Sequence, residues 1–217
     1  MFASFIAALL SLLTAVVPPP SFDRAARSTT DPSSPWVVVN KRLPMTPADF
    51  EPDLVVVDQH LVARAAAADL QALLDAAADD GIELHVASAY RSPSYQRGVY
   101  DGIVARDGPE LADRWSARPG HSEHQTGLAV DVDTPAHPEC RIEACFGDTD
   151  AGRWVREHAA RFGFWLRYTE ADQAITGYGP EPWHLRYVGR RLAAELTRTG
   201  TGTLEEFFDL PGGDYAE

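Results

Sequence analysis

Three short clusters of polar residues carry types and spacings suited to hydrolytic chemistry. The first is HSEHQTGLAVDVD, residues 121–133, where His124 and Asp131 stand in an H-x6-D relation with Gly127 between them. One imidazole and one carboxylate are two-thirds of a catalytic zinc site, which takes three protein ligands and keeps a position open for water. His121 stands three residues before His124 and competes with it as a ligand. The second cluster, GPEPWHLRY at residues 179–187, supplies Glu181 and His184. A carboxylate close to a ligand His suits a zinc hydrolase, because a base must reach the water to be activated. The third is SAYRSPSYQ, residues 88–96, where Arg91 follows an expected strand. Arginine is a permanent cation with a fork of donors, fit for a developing oxyanion or a substrate carboxylate. Each cluster alone has a plain structural reading. Pro182, for instance, puts the Glu181–His184 pair on a strand or turn rather than in a helix. His60, His85, His137 and His158 read as structural or surface residues.

Holding these side chains requires a mixed set of elements. In residues 128–133, Leu128, Val130 and Val132 alternate with Ala129, Asp131 and Asp133. That pattern is a half-buried strand with valines in the core and carboxylates on the other face. Alternation of Ile82, Leu84 and Val86 predicts a strand over 82–90 that delivers Arg91. Further strands are expected at 164–168, at 183–188 and in VVVNKRLP from Val37. Helical spacing predicts a helix over 61–78, through Leu70, Leu73, Leu74 and Ala77, with Gly81 as a stop. Others are predicted over 94–106, 151–162, 190–197 and 203–208. Helices and strands do not alternate regularly, and no glycine-rich phosphate loop occurs. A doubly wound nucleotide fold is therefore disfavoured; the expected class is α+β, a mainly antiparallel sheet with flanking helices.

The chain has 217 residues, enough for one domain, with 19 Lys and Arg against 32 Asp and Glu, a net charge of −13. With no basic stripe, so acidic a protein is not a nucleic-acid binder. Residues 2–17 are apolar except for Ser4, Ser11 and Thr14, and Pro18-Pro19-Pro20 ends the run. This reads as a signal peptide or an uncleaved membrane anchor over 1–17, in preference to a buried core helix. Residues 18–35, rich in Pro, Ser, Thr and Asp, read as a flexible tether, with the folded domain over 36–217. Cys140 and Cys145 stand in PECRIEAC. Without a second Cys or His pair they are half a metal site, and beside an export-like start they read as a disulfide. An extracytoplasmic location follows from the same two features.

The order of the clusters resembles the zinc-dependent D-alanyl-D-alanine carboxypeptidases of the VanY type. The matching patterns are S-x-Y-R (Ser88, Tyr90, Arg91), S-x-H-x-x-G-x-A-x-D (Ser122, His124, Gly127, Ala129, Asp131) and E-P-W-H-x-R-Y (Glu181 to Tyr187). The resemblance spans roughly residues 37–199. It implies an α+β fold shared with the hedgehog signalling domain, with a zinc cleft in an antiparallel sheet. One Zn2+ per chain would be bound by His124, Asp131 and His184. Glu181 would act as general base and then acid on a zinc-bound water, and Arg91 would polarise the scissile carbonyl. Ser122, Tyr90, Gln96 and Trp183 would line the substrate cleft. The implied partner is a peptidoglycan stem peptide ending in D-Ala-D-Ala, met by a monomer. A peptidoglycan endopeptidase on the same scaffold is the alternative. A zinc-containing wall-binding module without activity is a weaker one, because such a module has no use for Glu181.

Overall fold

The computed structural model describes residues 22–216, so the apolar run at 1–17 and the first tether residues lie outside the described residues. The chain opens with a hairpin, β1 (Leu54–Val57) and β2 (His60–Ala63), followed at once by helix α1 (Arg64–Asp79). Strand β3 (His85–Ser88) leads through Arg91 into α2 (Pro93–Asp107) and the short α3 (Pro109–Trp115). After a 3-10 turn at Glu123–Thr126 come β4 (Ala129–Asp133), α4 (Asp150–His158) and β5 (Phe164–Tyr168). The short α5 (Gln173–Thr176) precedes β6 (Glu181–Tyr187), α6 (Arg190–Thr199) and α7 (Leu204–Phe208). Strands β3, β4, β6 and β5 pair antiparallel in that order. The class is α+β, as the irregular alternation of elements predicts.

The sheet has one apolar and one polar face. Val130, Val132, Leu185 and Phe164 enter the main core, where they meet Leu70 and Leu73 of α1 and Val155 of α4. On α1 the buried residues are Ala66, Leu70, Leu73 and Ala77, a stripe at three- and four-residue spacing. A smaller core joins Trp36 and Val38 to Leu192 and Leu196 of α6 and Leu204 and Phe207 at the C-terminal end. The opposite face of β4 and β6 carries Asp131, His184 and Arg186, and the site is built there.

Several elements differ from expectation. The helix expected over 61–78 begins only at Arg64, because Leu61 pairs with Val56 in the hairpin. The strand from Val37 is absent: Val37 and Val39 enter one core and Val38 the other, while the Val38 amide donates to the Thr29 carbonyl. Alternation survives there without a sheet ladder. The tether ends earlier than expected. Phe22 stacks on Trp36 with ring centroids 5.4 Å apart, and the Trp36 indole N–H donates to the Val188 carbonyl. Phe22 and Trp36 both pack in the smaller core, so the described part of the expected tether lies against the body.

Candidate active site

Neighbouring strands place two of the expected ligands side by side. Asp131 of β4 and His184 of β6 are register partners, and side chains of paired residues project from the same face. Their closest approach, His184 Nδ1 to Asp131 Oδ1, is 3.2 Å. His124 arrives from the 3-10 turn, which ends at Gly127 in the left-handed conformation (φ 67°). A Cβ on Gly127 would stand 2.9 Å from the Ala63 amide nitrogen, so hairpin and turn approach closely only because the residue is glycine. His124 Nε2 lies 3.3 Å from Asp131 Oδ2. One ligand atom from each of His124, Asp131 and His184 lies within 4.8 Å of the others, and all three residues are buried.

Electrostatics prepare this trio for a cation. His124 Nδ1–H donates to the Ala89 carbonyl at 2.7 Å, which leaves Nε2 as the lone-pair nitrogen. That Nε2 is buried and has no hydrogen-bond partner among the described residues. Burial, then the charge of Arg91, pulls the His124 imidazole down to about 4, so it is neutral at pH 7. Against the upward pull of burial, His124, His184 and Arg91 hold the Asp131 carboxyl well below the usual range. Two imidazoles, one carboxylate and an orphaned buried lone pair fit zinc in a three-ligand site.

The remaining expected residues divide. Glu181 reaches within 3.7 Å of His184, and burial pushes its carboxyl up to about 7, the range in which a group can take and return a proton at neutral pH. Arg91 stands 3.5 Å from Asp131 and receives support from Gln96, whose Oε1 accepts from its Nη1. Arg91, Glu181, His184, Ser122 and Gln96 all line one cleft. Gln96 is less available than expected for a substrate residue, because its amide also donates to Ser116 and to the Ala117 carbonyl. Trp183 does not line the cleft: strand alternation turns it away from His184 and into the main core. Tyr90 is also outside the lining; its amide bonds the Leu61 carbonyl, and burial, then the Glu51 charge, raises its hydroxyl. His121 is no competitor, since its Nδ1 meets the Asn40 carbonyl at 2.8 Å and its ring packs on Tyr215. Asp133, the other carboxylate on that face of β4, is engaged with Arg141.

Trp115, Tyr168 and Tyr178 also line the cleft and carry no motif that a linear reading could pick out. Glu123 was within reach, standing between Ser122 and His124, yet a charged residue in a turn reads as surface. It is fully buried, and it touches Arg167, Arg186 and His184.

Comparison with known proteins agrees with this geometry. Residues 59–190 match the family model for VanY, D-alanyl-D-alanine carboxypeptidase. YodJ, a candidate carboxypeptidase of Bacillus subtilis (strain 168), is 37% identical over 190 residues, 82% of this chain and 68% of its own. Among solved structures, the LdcB LD-carboxypeptidase superposes with a TM-score of 0.75 at 36% identity, covering 84% of this chain and 89% of that one. A variant of the D,D-pentapeptidase VanY from a VanB-type resistance cassette, solved with Zn(II), gives 0.70 at 34% identity, over 81% and 98%. Motifs, sheet and buried His-Asp-His trio therefore lead to one conclusion: this chain is a peptidase belonging to the VanY family of D-alanyl-D-alanine carboxypeptidases.

Proposed function

We propose that the protein is a zinc carboxypeptidase that removes the terminal D-alanine of peptidoglycan stem peptides by cutting the D-Ala-D-Ala bond. The observation that carries this reading is the orphaned Nε2 of His124 beside Asp131 and His184, with a carboxyl poised near neutrality next to them. One zinc per chain would be held by His124, Asp131 and His184. Bound there, it supplies the Lewis acidity that activates water at neutral pH. Glu181 accepts the proton of the attacking water and returns it to the leaving D-alanine nitrogen. Arg91, braced by Gln96, offers its guanidinium to the carbonyl oxygen as negative charge gathers on it. In a protein of net charge −13, this cation also serves to attract the carboxylate end of the substrate. An extracytoplasmic setting, where such peptides occur, is supported by the Cys140–Cys145 disulfide.

A second reading has a specific observation in its favour: LdcB, similar over most of this chain, is an LD-carboxypeptidase. The deciding experiment incubates zinc-loaded protein with a stem pentapeptide ending in D-Ala-D-Ala and, separately, with the tetrapeptide lacking the last residue. Mass spectrometry should show one alanine lost from the pentapeptide and an intact tetrapeptide. Loss of alanine from the tetrapeptide alone would establish the LD activity, internal cleavage an endopeptidase, and no reaction would dismiss all three.

A further inference from the structure

Glu123 is fully buried, and its two carboxylate oxygens have separate partners. Its Oε1 accepts from Arg167 Nε at 2.9 Å and from Arg186 Nη1 at 3.2 Å. Its Oε2 is left to His184, whose Nε2 lies 3.2 Å away. The other ring nitrogen, Nδ1, faces the trio, 3.2 Å from Asp131 and 3.7 Å from Glu181. Beyond the two arginines, the Glu205 carboxylate accepts from Arg167 through both oxygens at 2.7 and 2.9 Å, and Arg186 also donates to the Val37 carbonyl at 2.8 Å. The arginines are thus held from several sides, and the second oxygen of Glu123 is the one that faces His184.

We propose that Glu123 is a positioning residue for the metal centre: by accepting the Nε2 proton of His184 it reserves Nδ1 for the cation, and the Arg167–Arg186 pair holds it in that task. This inference rests on the zinc reading above but concerns a residue outside the three ligands. An imidazole has two nitrogens, and whichever gives its proton to an acceptor leaves the other lone pair for a metal. Carboxylate acceptors on a ligand histidine fix its tautomer and ring orientation and make it a stronger donor. His124 and His184 then use opposite nitrogens. The Ala89 carbonyl takes the Nδ1 proton of His124 and frees its Nε2, whereas Glu123 takes the Nε2 proton of His184 and frees its Nδ1. A neutral carbonyl supports one ligand and a charged carboxylate the other. The two imidazoles should differ in donor strength, His184 being the stronger.

The test uses the full chain, labelled with 15N-histidine and loaded with 113Cd2+. Metal–nitrogen coupling should appear at Nδ1 of His184 and at Nε2 of His124, with a slowly exchanging proton on His184 Nε2. Coupling at His184 Nε2 would overturn the proposal while leaving the metal site intact. Failure of the parent protein to bind Cd2+ or Zn2+ at all would remove the zinc reading and this inference with it. In parallel, E123Q should weaken Zn2+ binding by about 10–100-fold in chelator competition. E205Q, which perturbs the far side of the same arginine, should lower the melting temperature while changing zinc affinity much less. Equal loss of affinity in the two variants would mean that Glu123 only balances buried charge. If E123Q does not fold, the coupling pattern of the parent protein decides alone.

Discussion

At the scale of single residues, the metal trio and Glu181 make separable demands. E181Q keeps the shape of the side chain and leaves all three proposed ligands in place, so zinc content should hold while turnover falls by at least about 10²-fold, the lower end for acid–base catalysis. A near-parental rate, or loss of zinc, would show that the base is another group. H184A should abolish stoichiometric zinc in elemental analysis, and H121A should not, because His121 is spent on the Asn40 carbonyl. Most of this was legible in the sequence. His124, Asp131, His184, Glu181 and Arg91 sit in motifs whose spacing survives folding, since a strand and a tight turn carry them directly into the site. Trp183 was readable too, by counting: one position from His184 on a strand is the opposite face. Tyr168, Tyr178 and Trp115 were not readable, because only the packing of separate segments brings them to the cleft. Glu123 escaped because burial of a carboxylate depends on Arg167 and Arg186, both far along the chain.

Among the elements, the strands of the four-stranded sheet and the helices followed their periodicity, while the strand expected from Val37 and the start of α1 did not. Residues 164–168 form β5 as expected, and α1 buries Leu70 and Leu73 as its spacing requires. The β1–β2 hairpin was hidden because its turn residues, Asp58 and Gln59, adopt positive φ without the usual Asn-Gly or Gly signal. Two connections make testable claims. In G127A the added methyl must enter a left-handed position hard against Ala63, so stability should drop by more than about 1 kcal/mol in urea titration. Zinc affinity should fall with it, because the turn seats His124. The Cys140–Cys145 bridge spans a sequence separation of 5 between β4 and α4, and neither cysteine lines the cleft. Replacing both cysteines by serine should cost about 2 kcal/mol on chain-entropy grounds, with activity at 25 °C unchanged. Thiol titration of the unfolded, unreduced protein should find no free sulfhydryl; two would contradict both the bridge and the export reading.

For the molecule as a whole, the question is where the folding unit ends. F22A should lower stability by at least about 1 kcal/mol in urea titration, because its ring packs on Trp36 and Phe207, whereas in a free tether the change would register nothing near it. The packing of Phe22 was illegible because composition reports an average, and one aromatic ring in a stretch rich in Pro, Ser, Thr and Asp hardly moves it. The ionic line behind His184 adds a consequence for anyone who subclones this enzyme or grafts its activity elsewhere. The window matched by the family model, residues 59–190, contains His124, Asp131, His184, the proposed base Glu181 and Arg91. It omits Glu205, which is bidentate to Arg167, and the Val37 carbonyl, which receives Arg186. Cut at those borders, the piece would keep two interior guanidinium groups with one carboxylate to share between them, and α6 would no longer cover Val188. Leaving such charge uncompensated costs several kcal/mol, on the order of a small domain's entire margin. A gene fragment chosen by its motifs would thus be expected in the insoluble fraction, and a transplantable piece must reach at least from Val37 to Glu205.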